Sequence, residues 1–339
     1  MFVSKFLQAL PALQPRLSSL DLPRKSFLEN WLGHKSWNSI DVYYRLGDAA
    51  SKELLLKLVL NSLGLFLTND MEKYRMYSAS AWQILCDKAH DFSCIKDTFW
   101  SDIVETFVLD GYSYGEKCRA LPGDVVLDCG AYTGNTALYF SRKVGAEGKV
   151  YAFEAMPKTY EKLRGNISAY KMENVFPVNT ALSDKKGELV FTPAESPGSC
   201  KMAPGREEGG LRVPATSIDA FVRENRIGRI DFIKMDIEGS ELEALTGAAQ
   251  TIARFKPKLA ISVYHRPEDM GLLPEKILEL NPAYTFYLKH NYWKFTETVL
   301  FCADDPQGHP DAPKDVSEEK RGVAEIWENI FQYKLALNR

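Results

Sequence analysis

The sequence has no excess of one charge, no long apolar run and no cysteine motif. Lysine and arginine number 42 and aspartate and glutamate 45, a net charge of −3. That balance gives no electrostatic case for nucleic acid or an anionic membrane as partner. No stretch approaches the ~20 apolar residues that span a bilayer. Met1 to Leu20 is apolar only in patches, broken by Pro11 and Pro15, and lacks the core and cleavage site of a signal peptide. The cysteines at 86, 94, 118, 129, 200 and 302 form no C-x-x-C pair and have no histidine at zinc-finger spacing. Scattered thiols in a large chain are usually reduced, so a cytoplasmic protein is expected. The 45% hydrophobic and 26% charged residues are those of an ordinary globular chain.

What is present divides into three parts. Up to about Tyr112 the chain reads as mostly helical. Leu54, Leu55, Leu58, Val59, Ser62 and Leu63 form one stripe at helical spacing, and Trp82, Leu85, Cys86 and Ala89 a weaker one. No catalytic motif lies there. Residues 1–112 are therefore expected to form a helical cap, a substrate region or an oligomerisation surface, with a homo-oligomer as one outcome. Residues 113–305 alternate strands and helices. Residues 306–339 end in a docking helix over Val316 to Leu337, with Val323, Ile326, Trp327, Ile330 and Phe331 on one face.

In the middle part, strands are expected at Val125–Leu127, Lys149–Phe153, Val175–Val178, Ile230–Met235 and Leu259–Val263. Such short apolar runs suit strands buried on both faces. Helices are expected at Thr136–Val144, from Pro157, at Ile218–Arg223, at Ser240–Phe255 with a Ser240/Glu243 capping box, and at Pro274–Leu280. Gly187–Thr192 reads as an extra strand in a hairpin, and Pro193–Gly210 as a loop. Tyr284–Leu288 and Thr298–Cys302 read as a strand pair turning near Asn291. The expected fold is α/β: a doubly wound, mostly parallel sheet with an antiparallel edge, preceded by the helical region.

In such a sheet, ligands bind beyond the carboxyl ends of the strands. Asp128-Cys129-Gly130-Ala131-Tyr132-Thr133-Gly134 occupies that place after the first strand. Gly130 and Gly134 let backbone approach a ligand. The helix start beyond them offers N–H groups to a carboxylate. Glu154 ends the second strand, where a carboxylate can accept bonds from two ribose hydroxyls. The dinucleotide fingerprint G-x-G-x-x-G is incomplete, because Ala131 and Tyr132 follow Gly130, so a nicotinamide-dependent dehydrogenase is disfavoured. A ligand without pyrophosphate fits better. S-adenosylmethionine (SAM) carries an ammonium for Asp128 and a carboxylate for the helix start. A merely structural strand-turn-helix is the bland alternative.

The chain resembles the FkbM-type family of class I SAM-dependent methyltransferases over about Leu121 to Ala303. Val126–Gly134, Ala152–Pro157, Asn179–Asp184 and Ile233–Glu241 carry the resemblance. The last, a K-x-D-x-E-G-x-E stretch, is the most specific. Asn135 departs from a related subgroup that often has an acidic residue there. The resemblance implies methyl transfer from SAM, which becomes S-adenosylhomocysteine. The usual acceptor in the family is a hydroxyl on a sugar, polysaccharide precursor or secondary metabolite. Expected cofactor contacts are Asp128, Gly130, Ala131, Thr133, Gly134, Glu154, Ala155, Thr180, Ala181 and Asp236. The implied partner is a small-molecule or carbohydrate-like acceptor.

Transfer to a hydroxyl needs alignment and removal of a proton. His265 is the expected general base, because imidazole titrates nearest neutrality. Asp236 and Glu238 would orient it or hold the acceptor. Lys234 reads equally as a strand residue paired with a nearby carboxylate. Tyr112 and Tyr114 either cover the methionine end or simply pack. Asp236, Glu238 and His265 offer metal ligands, yet hard cations want more carboxylates, so no metal is expected. A non-catalytic SAM-binding scaffold is the alternative function.

Overall fold

A computed structural model describes residues 42, 45–55, 57, 58, 76–90, 98–193, 200–202, 210–266, 268–293 and 296–304. Val59, Ser62, Leu63 and the docking helix expected over 316–337 lie outside those residues.

The short apolar runs form the expected strands. β1 (Val125–Cys129), β2 (Lys149–Phe153) and β3 (Val175–Val178) pair in parallel in that order. Continuous burial needs apolar side chains on both faces of each strand. Accordingly Leu127 and Cys129 join one core cluster and Val126, Val150 and Ala152 the other. α3 (Asn135–Val144) and α4 (Pro157–Ala169) make the crossovers, α4 opening on Pro157 at its first turn. α4 packs through Tyr160, Leu163 and Ile167, the expected face.

β8 (Phe232–Met235) lies on the other side of β1 and β9 (Lys258–Ser262) beyond it, both parallel. β11 (Thr298–Asp304) runs antiparallel to β9, and β10 (Tyr284–His290) antiparallel to β11. The seven-stranded order is β10-β11-β9-β8-β1-β2-β3. The chain reverses its direction of travel across the sheet between β1 and β8. That switch point opens a crevice at the strand ends.

A second sheet was only partly expected. β4 (Ala181–Leu182), β7 (Leu211–Thr216), β5 (Gly187–Pro193) and β6 (Cys200–Met202) are ordered β4-β7-β5-β6. Expectation put Pro193–Gly210 in a loop. Its Cys200–Met202 segment instead pairs antiparallel with Phe191–Pro193. The polar flanks hid three residues whose backbone completes a hairpin.

The helix expected over Ser240–Phe255 is two helices, α6 (Glu241–Thr246) and α7 (Ala249–Phe255). Gly247 separates them, and a Cβ there would stand 2.2 Å from the Ser183 carbonyl oxygen. Asp219 caps α7, accepting from the N–H groups of Gln250 and Thr251 at 2.9 and 2.8 Å. The Ser240/Glu243 capping box does not form, since the Ser240 side chain makes no cap bond. Glu241 reaches back instead and accepts the Ile237 N–H at 2.8 Å. α5 spans Ile218–Glu224, capped by Ser217. α8 begins at Asp269 and ends at Leu280, so Pro274 lies inside it rather than opening it.

The amino-terminal part is not separate from this core. Val42, Leu46 and Leu55 belong to the cluster that holds Phe286 and Ile277. α1 (Ala79–Ala89), α2 (Trp100–Ile103) and a π-helical turn at Val104–Val108 pack on one another through Ala89, Ile103 and Val104. The Asn135 amide donates to the Thr98 hydroxyl at 2.8 Å, joining this layer to the loop after β1. No helix among the described residues is long and apolar enough to cross a membrane.

Candidate active site

A cleft of about 430 Å³ opens at the switch point. Its floor is the loop after β1. Gly130 turns there with φ +85, and a Cβ on it would lie 1.8 Å from the Asp236 carbonyl oxygen. The loops after β1 and β8 therefore touch backbone to backbone, which only glycine permits.

Asp128 and Lys234 are cross-strand neighbours in β1 and β8. Their side chains are 0% and 1% exposed, and Lys234 Nζ lies 3.2 Å from Asp128 Oδ1. Burial alone would lower the lysine's proton affinity; the charges of Asp128 and Asp236 and the bond to Asp128 together outweigh it and raise it. The ammonium also donates to the carbonyl oxygens of Gly130 at 2.6 Å and Cys129 at 3.3 Å. Thr136 donates to Asp128 Oδ2 at 2.7 Å. Asp128 was expected to meet a ligand ammonium. It does not line the cleft; it holds the lysine that shapes the floor.

Glu154 does line the cleft. It accepts the Met156 N–H at 2.8 Å. Burial pushes its carboxyl up to about 7. Gly130, Ala131, Ala155, Thr180, Ala181 and Asp236 line the same cleft. Thr133 and Gly134 do not. Thr133 is buried, with its carbonyl taken by Asn166, and Gly134 is the left-handed residue preceding α3.

The other half of the cleft holds a chain of hydrogen bonds around Asp236. Tyr112 donates to its Oδ2 at 3.0 Å. Tyr264 donates to Glu297 Oε2 at 2.8 Å and stands 3.3 Å from Asp236 Oδ1. His265 places Nε2 3.2 Å from Asp236 Oδ1 and Nδ1 2.9 Å from Glu241 Oε1. Burial would lower the imidazole's proton affinity. The bonds to Asp236 and Glu241 outweigh it and raise the pKa to about 11. Asp236 responds oppositely: burial raises it, but His265, Lys234 and Tyr112 hold it well below the usual range.

The roles expected of His265 and Glu238 look different in this geometry. His265 lies between two carboxylates that favour its protonated form, and it does not line the cleft, a placement that disfavours the general-base role expected of it. Glu238 sits exposed on the cleft rim with φ +57. Asp236, Glu241 and His265 have potential ligand atoms within 4.8 Å of one another. Tyr114 is outside the cleft, donating to Asp48 at 2.9 Å and stacking on Tyr287. Tyr112 is in it.

Several cleft residues had no motif to mark them. Asp102 and Glu105 come from α2 and the π-helical turn, and Glu297 precedes β11 with φ +65. Holding a non-glycine residue in that region costs on the order of 1–3 kcal/mol. Tyr132, with φ +49, makes a third such residue at this cleft beside Glu238 and Glu297. Burial and the Asp236 charge push Glu297 up to about 8, and burial pushes Asp102 up to about 6.

Comparison with known proteins agrees with this geometry. Residues 128–292 match the sequence profile of the methyltransferase FkbM domain. A hexuronic acid methyltransferase, AglP, from Haloferax volcanii is 30% identical over 131 residues, 38% of this chain and 52% of its own. The chain thus spans about half the length of that relative. A 2-O-methyltransferase, NoeI, from Sinorhizobium fredii is 26% identical over 182 residues, covering 48% of this chain and 73% of its own. The crystal structure of methyltransferase FkbM from Methylobacillus flagellatus shares the fold. It has a TM-score of 0.52 at 20% identity, over 88% of this chain and 60% of that one. The crevice at the β1/β8 switch point lies within the stretch, residues 128–292, that matches the methyltransferase FkbM domain.

Proposed function

We propose that the cleft binds SAM and transfers its methyl group to a hydroxyl of a small, sugar-like acceptor. The observation that carries this reading is the composition of the two cleft halves. One half has the glycine floor, Glu154 and the small wall residues Ala155, Thr180 and Ala181. The other has tyrosines and carboxylates able to bind a hydroxyl and receive its proton. One relative's name, a hexuronic acid methyltransferase, supports a sugar acceptor, and the other's, a 2-O-methyltransferase, supports transfer to oxygen.

The cofactor's contribution is a methyl group already activated by a sulfonium. Glu154 keeps lone pairs beyond the Met156 bond for ribose hydroxyls. Lys234 and Asp128 fix the Gly130 carbonyl, leaving the loop's outer face to the ligand. Asp236, with its bonds to Tyr112 and His265, orients the half that receives the acceptor. Glu297 takes the role expected of His265. It lines the cleft, and its pKa of about 8 makes it able to accept a proton near neutral pH. With SAM held there, its sulfonium would supply a methyl group to the acceptor hydroxyl oxygen and leave as the neutral thioether, and Glu297 would receive the hydroxyl's proton.

The test is transfer of labelled methyl from SAM to a panel of neutral, amino and acidic methyl glycosides. Label in any glycoside, absent with Glu297→Gln, supports the reading. SAM binding without transfer to any acceptor would favour a non-catalytic SAM-binding scaffold.

A further inference from the structure

The acceptor half of the cleft is unbalanced in charge. Asp102, Glu105 and Glu297 all face it, with Asp236 beside them. Among the described residues Lys234 is the one lysine, arginine or histidine lining the cleft, and it is buried and committed to Asp128 and two carbonyls. Asp236 has its own cation in His265. Asp102 takes a hydrogen bond from Ser101. Glu105 is partly buried and faces the cleft among these carboxylates, with no cation paired to it among the described residues. Carboxylates gathered this closely disfavour one another's ionisation unless a ligand supplies a positive charge.

Burial, then the charges of Glu297, Asp102 and Asp236, raise Glu105 well above the usual carboxylate range. The group is short of a positive charge. The walls suit an organic cation better than a hydrated metal. Phe99, 61% exposed, together with Tyr132 and Tyr292, presents ring surface to the same space. Rings attract ammonium groups and shed water, whereas magnesium keeps several of its waters.

We propose that the acceptor bears an ammonium group beside the hydroxyl that is methylated, and that Glu105 and Asp102 hold this ammonium. An amino sugar has that chemistry, and an anionic sugar would meet carboxylates with no uncommitted cation among the described residues lining the cleft. The hydroxyl in this statement rests on the methyl-transfer reading; the ammonium preference rests on the cleft alone.

The experiment is an NMR titration of the full chain, with and without S-adenosylhomocysteine. The probes are methyl 2-amino-2-deoxyglucoside, its N-acetyl counterpart and methyl glucuronoside. The amino probe is expected to bind at least about tenfold tighter than either other, the scale of one charge-assisted bond. Glu105→Gln should erase that preference while leaving S-adenosylhomocysteine binding unchanged and the melting temperature no lower. If that variant does not fold, Asp102→Asn should at least halve the preference. Equal or weaker binding of the amino probe, or no binding of it, overturns the proposal. So does a preference that survives Glu105→Gln, or magnesium chloride binding that Glu105→Gln removes. Loss of S-adenosylhomocysteine binding alone would count against methyl transfer, and the ammonium preference would still be read without it.

Discussion

His265 Nε2 lies 3.2 Å from Asp236 Oδ1, and its other ring nitrogen lies 2.9 Å from Glu241 Oε1. The imidazole is a buried clamp between the cleft and the start of α6. Its pKa rises from 6.5 to about 11, so its contribution to stability is complete below about 6.5 and is lost as pH rises through about 11. His265→Asn should therefore cost on the order of 3–5 kcal/mol at pH 7, the scale for breaking a buried pair. The variant's deficit should shrink by up to about 1.4 kcal/mol per pH unit between those limits. Chemical denaturation at pH 6 to 10 checks this. A deficit independent of pH would show that His265 is neutral.

Asp128 and Lys234 should behave as one unit. Asp128→Asn leaves a buried ammonium without its counter-charge and should destabilise by roughly 3–5 kcal/mol. Asp128→Asn combined with Lys234→Met should recover part of the loss. Both changes should weaken S-adenosylhomocysteine binding, because Lys234 holds the Gly130 carbonyl. Fully additive melting-temperature losses would contradict the pairing.

Gly130→Ala should be worse for binding than any change of a cleft side chain. The added Cβ meets the Asp236 carbonyl oxygen at 1.8 Å, and the φ of +85 is unfavourable to alanine. The two loops must separate. Calorimetry should show no S-adenosylhomocysteine binding even where the circular dichroism stays native. Undiminished affinity would mean that these loops do not form the cofactor floor.

Glu297 gives the pH dependence of turnover. A base must be unprotonated, so kcat/KM should rise as pH climbs and level off above about 8. Glu297→Gln should lower kcat by about 100-fold or more, the usual scale for a general base, and flatten that limb. A flat wild-type profile over pH 6 to 9 would remove Glu297 from proton transfer. An ascending limb surviving in the variant would assign the proton to another group.

Much of the fold was legible from local pattern. Val125–Leu127, Lys149–Phe153 and Val175–Val178 are short apolar runs with no competing period, and each is a parallel strand. The Gly130 turn and the strand-end Glu154 were legible because strand ends are where such sheets bind ligands. The failures were those of partner choice. Sequence shows that Asp128 is a carboxylate near a glycine loop, but not that Lys234 stands opposite it in register. It shows a histidine after β9, but not the two carboxylates that fix its proton. The break at Gly247 comes from Ser183, distant in the chain. Asp102 and Glu105 carry no motif, and only the packing of the amino-terminal layer brings them to the cleft.

The central claim is that this cleft holds an adenosyl ligand through Glu154. Calorimetric titration of the full chain with S-adenosylhomocysteine tests it most directly. Saturable binding is expected, weakened by about 10- to 100-fold in Glu154→Ala, the scale of losing charge-assisted bonds to the ribose. No binding at about 1 mM ligand, a Kd weaker than roughly −4 kcal/mol, would contradict the account. So would an affinity unchanged by Glu154→Ala.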